Sequence, residues 1–285
     1  MTFQSEVQSL RRVVLRHPRD AFVSQARIDE QWRDLGYSRA PSYDLACAEY
    51  DAFATELERL GVDLEWLVGD DLGLDSLYVR DATLVTDRGI IPCAMGKGAR
   101  RLEPEAHRRF FDGRLPIAGA IEDTGTVEGG DVAWLDPRTL AVGRGYRTSE
   151  DGIERLAGLL PDVEVMRVPL PHWRGPADVF HLMSFLSPLT EKLLLVYSPL
   201  MPVPFREELL ARGYDLIEVP DEEFDSQGCN VLAVHPGVAV ALEGNPETRR
   251  RMEAAGVEVH GYAGREISLP GGGGPTCLTR PLERG

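Results

Sequence analysis

Residues 269–279 read LPGGGGPTCLT, and the four consecutive glycines ahead of Cys277 are where the chain first suggests chemistry. Glycines remove side chains and open left-handed conformations, so such a loop can fold tightly and let a ligand approach its main chain. That is a common way to present a nucleophile. A lone cysteine is more often a small buried hydrophobe, so the company it keeps must decide. His181 sits between Phe180 and Leu182 in an apolar run, where it could serve as a general base or simply be a hydrogen-bonded core histidine. The stretch Thr126-Val-Glu128-Gly129-Gly130-Asp131 sets an acid before two glycines, which suits close approach of backbone and ligand. Asp75 and Asp81 are six residues apart, an even spacing that puts both carboxylates on one face if the backbone is extended. Arg100 and Arg147 each follow an expected strand, where a guanidinium fork could clamp a carboxylate, although most arginines are solvated surface charge.

Other chemistries find little support. Cys47, Cys93, Cys229 and Cys277 form no CxxC pair, and no HxxxH or Cys/His cluster occurs, so neither a structural zinc nor a catalytic metal is expected. Gly143-Arg-Gly-Tyr-Arg-Thr lacks the last glycine of GxGxxG, and the glycines before Cys277 lack the GK[ST] of a P-loop. Phosphate-binding sites of these kinds are therefore not expected. A net charge of -15 disfavours nucleic acid and anionic membranes as partners and would attract a small cation. The start of the chain has no apolar h-region, and apolar runs such as residues 193–196 are far too short to span a bilayer, which points to a cytoplasmic protein with free thiols.

These residues need elements to bring them together. The 285 residues are 43% hydrophobic and 27% charged, enough for a large core. Residues 12–15 read as a first strand, and the polar segment from His17 to Pro41 as a flap. Ser42 or Asp44 can cap a helix carrying Tyr50, Phe53, Leu57 and Leu60, stopped by Gly61 before a strand at 62–67. A cassette of helix, glycine or proline break and short strand recurs at 57–67, 110–123, 158–168, 208–219 and 251–262, the second copy being the weakest. Strand-rich pieces lie between copies at 78–86, 132–142, 192–196 and 231–242, and Cys277 falls in what reads as the last strand. The unit is ββαβ-like. One doubly wound sheet would also alternate strands and helices, but five self-similar units fit a closed ring better, with ligands at its hub.

Five such copies, followed in order by YVRD, EGGD, GxxxRT, HLxSF and GGGPxCxT, resemble the guanidine-modifying enzymes of pentein fold, and within them the dimethylarginine dimethylaminohydrolases most. The resemblance implies a single domain over residues 1–285, an α/β propeller of five ββαβ units around a pseudo-five-fold axis. It implies Cys277 as nucleophile, His181 as general acid and base and Glu128 as the third catalytic residue. Asp81 would hold the guanidinium, Asp75 the substrate ammonium, and Arg100 and Arg147 its carboxylate. Arg80 stands where the mammalian dimethylaminohydrolases carry an acid, making YVRD more like deiminases and amidinotransferases, whereas Met183 replaces a second guanidinium-binding aspartate of deiminases. The implied activity is hydrolysis of a small cationic guanidine, foremost Nω-methylated arginine, without metal or cofactor, a homodimer being allowed. Burial beside two carboxylates should raise the Cys277 thiol until a bound cation compensates. An arginine deiminase-like enzyme, an amidinotransferase acting on arginine and a silent binder of basic amino acids remain as alternatives.

Overall fold

The computed structural model describes residues 2–69, 71–121, 125–178 and 180–285. Strand β1 (Leu10–Leu15) leads into two short helices, α1 (Pro18–Ala21) and α2 (Gln25–Gln31), within the segment expected to form a flap. Phe22 and Ile28 are buried there, so the segment is anchored by apolar contact. Helix α3 (Tyr43–Arg59) buries Ala46, Tyr50, Phe53 and Leu57, the face that helical spacing puts inward, and Gly61 ends it at φ +80°. The chain then returns as β2 (Asp63–Trp66), parallel to β1.

The next unit opens with the antiparallel pair β3 (Thr83–Thr86) and β4 (Gly89–Pro92), then helix α4 (Glu103–Phe111). Its closing strand is reduced to a parallel bridge between Ile90 and Ile117, and residues 122–123 of this weakest cassette lie outside the described residues. Hairpin β5 (Val132–Asp136) and β6 (Thr139–Arg144), helix α5 (Glu150–Leu159) and parallel β7 (Glu164–Pro169) make a full unit. So do β8 (Leu186–Pro188), β9 (Leu193–Val196), α6 (Val203–Ala211) and β10 (Asp215–Glu218). After the short helix α7 (Asp221–Phe224) come β11 (Val231–His235), β12 (Val238–Leu242), α8 (Pro246–Ala254) and β13 (Glu258–Tyr262). A parallel strand needs a crossover, and in each full unit a helix supplies it.

The last strand, β14 (Arg280–Arg284), corrects the expected placement of Cys277. It pairs antiparallel with β1, from Val14 opposite Arg280 to Leu10 opposite Arg284, so the first unit is completed by the C-terminal end of the chain. Cys277 precedes this strand and lies in a turn, where its side chain is not committed to a sheet face. Asp75 likewise sits in a 3₁₀ turn, Leu74–Leu77, not in extended backbone, and the strand after it begins only at Thr83. The even-spacing argument for Asp75 and Asp81 therefore fails, although both are buried. Among the described residues no helix is long and apolar enough to cross a membrane.

Candidate active site

The expected acid and base meet. His181 Nε2 and Glu128 Oε2 are 2.8 Å apart, and both side chains are almost wholly buried. Burial alone would pull the imidazole down, but the facing carboxylates of Asp131, Asp81 and Glu128 outweigh it and hold His181 at about 9. Burial opposes the Glu128 charge too, yet His181, Arg147 and Arg100 bring that carboxyl down to about 2. The pair is thus an imidazolium and a carboxylate at neutral pH.

Local structure explains how two distant segments fit so closely. Glu128 Oε1 accepts from the Lys97 backbone N–H at 3.0 Å, and the Glu128 N–H donates to Thr148 Oγ1 at 3.1 Å. A Cβ on Gly129 would lie 2.2 Å from the Arg80 carbonyl oxygen, and one on Gly130 2.6 Å from His181 Nδ1 and 2.8 Å from Asp81 Oδ1. Only glycine lets this loop lie against both catalytic candidates. The Gly130 N–H donates to Asp81 Oδ1 at 2.9 Å, and Asp131 Oδ1 accepts the Leu182 N–H at 3.0 Å, fixing the backbone beside His181. Burial, reinforced by Glu128, lifts the Asp131 carboxyl to about 6. Sequence reasoning gave Asp131 no role, although it is the last letter of EGGD.

Cys277 is partly exposed, at the end of the glycine run. A Cβ on Gly274 would come 2.5 Å from the Asn230 side chain, and Gly272 adopts φ +71°, so the run is shaped both by close approach and by handedness. Asn230 escaped sequence reasoning because it lies 47 residues away with no motif around it. Its Nδ2 donates to Cys277 Sγ at 3.3 Å, while its Oδ1 accepts from the Thr276 N–H and hydroxyl at 3.1 and 2.7 Å. Burial first, then the charge of Asp81, pushes the thiol up from its ordinary value, against the lowering effect of Asn230. Asp81 is therefore the shared neighbour: its carboxylate acts on the thiol and belongs to the cluster with Glu128 and His181.

The expected carboxylate clamp is not formed by Arg100. Its Nη1 pairs with Asp81, Nε and Nη2 fork onto Glu103 at 2.8 and 2.7 Å, and Nη2 also reaches the Tyr78 carbonyl at 2.8 Å. Every nitrogen is engaged within the core, which makes Arg100 the support of Asp81. Arg147 is different: it is buried, and among the described residues its side chain makes a long contact from Nη1 to Glu128, 3.3 Å. Asp75 is paired with Lys97, whose Nζ lies 2.6 Å from Oδ2 and donates to the Leu35 carbonyl at 2.7 Å. A cleft of about 390 Å³, lined by Gly36, Ser38, Phe180, Asn230, Gly271 and Gly272, joins the glycine loop to the segment containing Leu35.

Asp81, Glu128 and His181 each bring one donor atom within 4.8 Å of the other two, the reach of a metal centre. Two of those groups are already partnered within the protein, Asp81 by Arg100 and His181 Nε2 by Glu128. Carboxylates around a partly exposed thiol suit a flat organic cation, whose N–H groups each carboxylate can accept.

Comparison with known proteins agrees. The family model described as "Arginine deiminase" matches residues 70–203 and 198–284. An arginine deiminase of Rhodococcus erythropolis is 31% identical over 261 residues, 76% of this chain and 62% of its own length. One of Mycobacterium marinum is 32% identical over 250 residues, 73% of this chain and 60% of its own. Among solved structures, Pseudomonas aeruginosa dimethylarginine dimethylaminohydrolase, a cysteine-to-serine mutant complexed with citrulline, superposes with a TM-score of 0.78 over 95% of this chain and 98% of its own, at 24% identity. The N-terminal domain of ArgZ, a cyanobacterial arginine dihydrolase, gives 0.82 over 96% and 98% at 19% identity. The fold is thus the mixed α/β fold of the guanidine-modifying penteins. The chain belongs to the arginine deiminase family of that superfamily, and spans about three fifths of the length of the curated relatives it matches.

Proposed function

We propose that this chain hydrolyses a C–N bond of a small guanidine, with Nω-methylated arginine the first substrate to consider and arginine the second. The observation that carries the reading is a partly exposed thiol sharing Asp81 with the buried His181–Glu128 pair. Asp81 and Glu128 would fix the planar cation and take up its positive charge, while Arg147 would meet the substrate carboxylate and Asp75 its ammonium. The Cys277 thiol, raised while the carboxylates face it alone, ionises more readily once a guanidinium neutralises them. Thiolate attack forms an S–C bond to the guanidinium carbon. His181 then gives its proton to the departing nitrogen as the C–N bond breaks, leaving an S-alkylthiouronium. Water adds to that carbon, His181 takes its proton, and the C–S bond breaks to return the thiolate and release a ureido product.

The names of the sequence relatives favour arginine, and Met183 in HLMSF favours the methylated substrate. Incubation with arginine, monomethylarginine and asymmetric dimethylarginine, scoring citrulline, separates the two, and an added amine acceptor exposes amidinotransfer. No ureido product from any of them, or a thiol absorbance titration unmoved by a bound guanidine, would overturn the proposal.

We further propose that residues 1–285 form one domain whose five sheets close into a propeller. Neighbouring sheets touch in succession: β14 meets β3, Ala94 bridges to Val127, β5 meets the turn before β8, β8 meets β11, and β11 meets β1. A crystal structure in which β11 and β1 stand apart would refute closure.

A further inference from the structure

Arg100 stands between two buried carboxylates and serves them unequally. Its Nε and Nη2 make a parallel fork onto Glu103, at 2.8 and 2.7 Å, whereas Asp81 receives a single contact, from Nη1 to Oδ2. A bidentate pair is the stronger arrangement, so more of the Arg100 charge is matched to Glu103 than to Asp81. The other Asp81 oxygen, Oδ1, accepts the Gly130 N–H at 2.9 Å, and Asp81 brings a carboxylate oxygen within 4.8 Å of the donor atoms of Glu128 and His181. Glu103 itself is 1% exposed, at the first position of α4, and does not line the cleft beside Asn230. One arginine would suffice to neutralise Asp81, and a second buried acid on the same guanidinium carries a desolvation cost that packing alone does not require.

We propose that Glu103 is a positioning residue: by holding Arg100 in the fork it keeps the Asp81 charge available to an incoming guanidinium and, until one arrives, directed at the Cys277 thiol. The inference rests on the proposed guanidine hydrolysis, in which Asp81 meets the substrate cation. After burial, Asp81 is the group that raises the thiol. Shifting Arg100 wholly onto Asp81 should therefore lower the thiol and weaken guanidinium binding together, a pair of changes that loss of a core contact would not produce. Burial, with Asp75 and Asp81, raises the Glu103 carboxyl to about 7 against the pull of Arg100, so Glu103 is charged across the alkaline range in which the thiol ionises.

Glu103→Gln keeps the shape of the side chain, removes its charge and leaves Arg100 to Asp81. Thiolate absorbance, assigned to Cys277 as the part of the titration that Cys277→Ser loses, should show the Cys277 pKa lower by about one pH unit in the variant. Calorimetry should show L-arginine binding about tenfold more weakly to Cys277→Ser carrying Glu103→Gln than to Cys277→Ser alone. A folded variant whose thiol pKa is unmoved or higher overturns the proposal, even where its Tm has dropped. Absence of arginine binding to Cys277→Ser instead overturns the guanidine reading, and this inference with it. Should Glu103→Gln fail to fold, the pH dependence of arginine binding to Cys277→Ser decides. Affinity should rise several-fold from about pH 6.5 to about pH 8.5 as Glu103 ionises beside Arg100, Asp75 and Asp81, the Asp131 carboxyl at about 6 being mostly charged already. A flat profile overturns the proposal.

Discussion

Replacing Glu128 by glutamine keeps the shape of the side chain and removes its charge, so Glu128→Gln tests whether the carboxylates hold His181 protonated. His181 stands at about 9 against an ordinary 6.5, which is about 3 kcal/mol in favour of the imidazolium after burial has been overcome. Asp131 and Asp81 share that work, but Glu128 is the group in hydrogen-bond contact, at 2.8 Å. A hydrogen bond to a charged group is worth about 1.5–3 kcal/mol, so the variant should bring the imidazole down by roughly one to two pH units. NMR titration of the His181 ring in a Cys277→Ser background measures this directly. Stability should follow with a definite sign. A base raised on folding stabilises fully below its unfolded value and loses that contribution as pH rises through its folded one. The pair therefore helps most below about 6.5 and fades through about 9, while on the acid side Glu128 loses its share as pH falls through about 2. Denaturant unfolding should show Glu128→Gln most damaging near neutral and mildly acidic pH, and less so above about pH 10, where His181 is neutral and the Arg147 contact to Glu128 remains. An imidazole still titrating at about 9 in the variant would show that the contact does not govern its protonation.

Two further substitutions follow from distances already given. Gly130→Ala would put a methyl 2.6 Å from His181 Nδ1 and 2.8 Å from Asp81 Oδ1, so one of them must move; kcat should fall on the order of a hundredfold while circular dichroism stays native, and unchanged kcat would mean that this packing does not position the site. Lys97→Met should free Asp75 for a substrate ammonium and lower KM for arginine-type substrates several-fold in steady-state assays; an unchanged or higher KM would show that Lys97 does not compete for that carboxylate.

Sequence patterns carried far where they were local. The strand-rich pieces at 132–142 and 231–242, the stop at Gly61 and four of the helix-to-strand cassettes appear at nearly the expected residues, because each depends on spacing and turn chemistry within a dozen positions. The pairing of β1 with β14 joins Arg12 to Glu283, and nothing in either segment alone announces the other. The same distance hides Asn230 behind the thiol and Lys97 on Asp75, whose residue types are common on any surface. Arg100 shows the opposite limit: motif position singles it out but cannot tell a group free to meet a ligand from one that braces a buried carboxylate.

That distinction explains why so much charge can be held in one apolar interior. Asp81 is braced by Arg100, Glu128 by imidazolium and Arg147, and Asp75 by Lys97, so each acid has a cation of its own before any substrate arrives. The braces differ in how readily they yield. Arg100 is forked onto Glu103 and a carbonyl as well as Asp81 and is locked, whereas Lys97 is a single flexible ammonium and Arg147 makes one long contact. An incoming guanidine would leave the locked pair standing and would exchange with the loose ones. In the proposed mechanism a cation lying over the carboxylates would offset the Asp81 charge that, after burial, raises the Cys277 thiol, and so would favour the thiolate when substrate is bound.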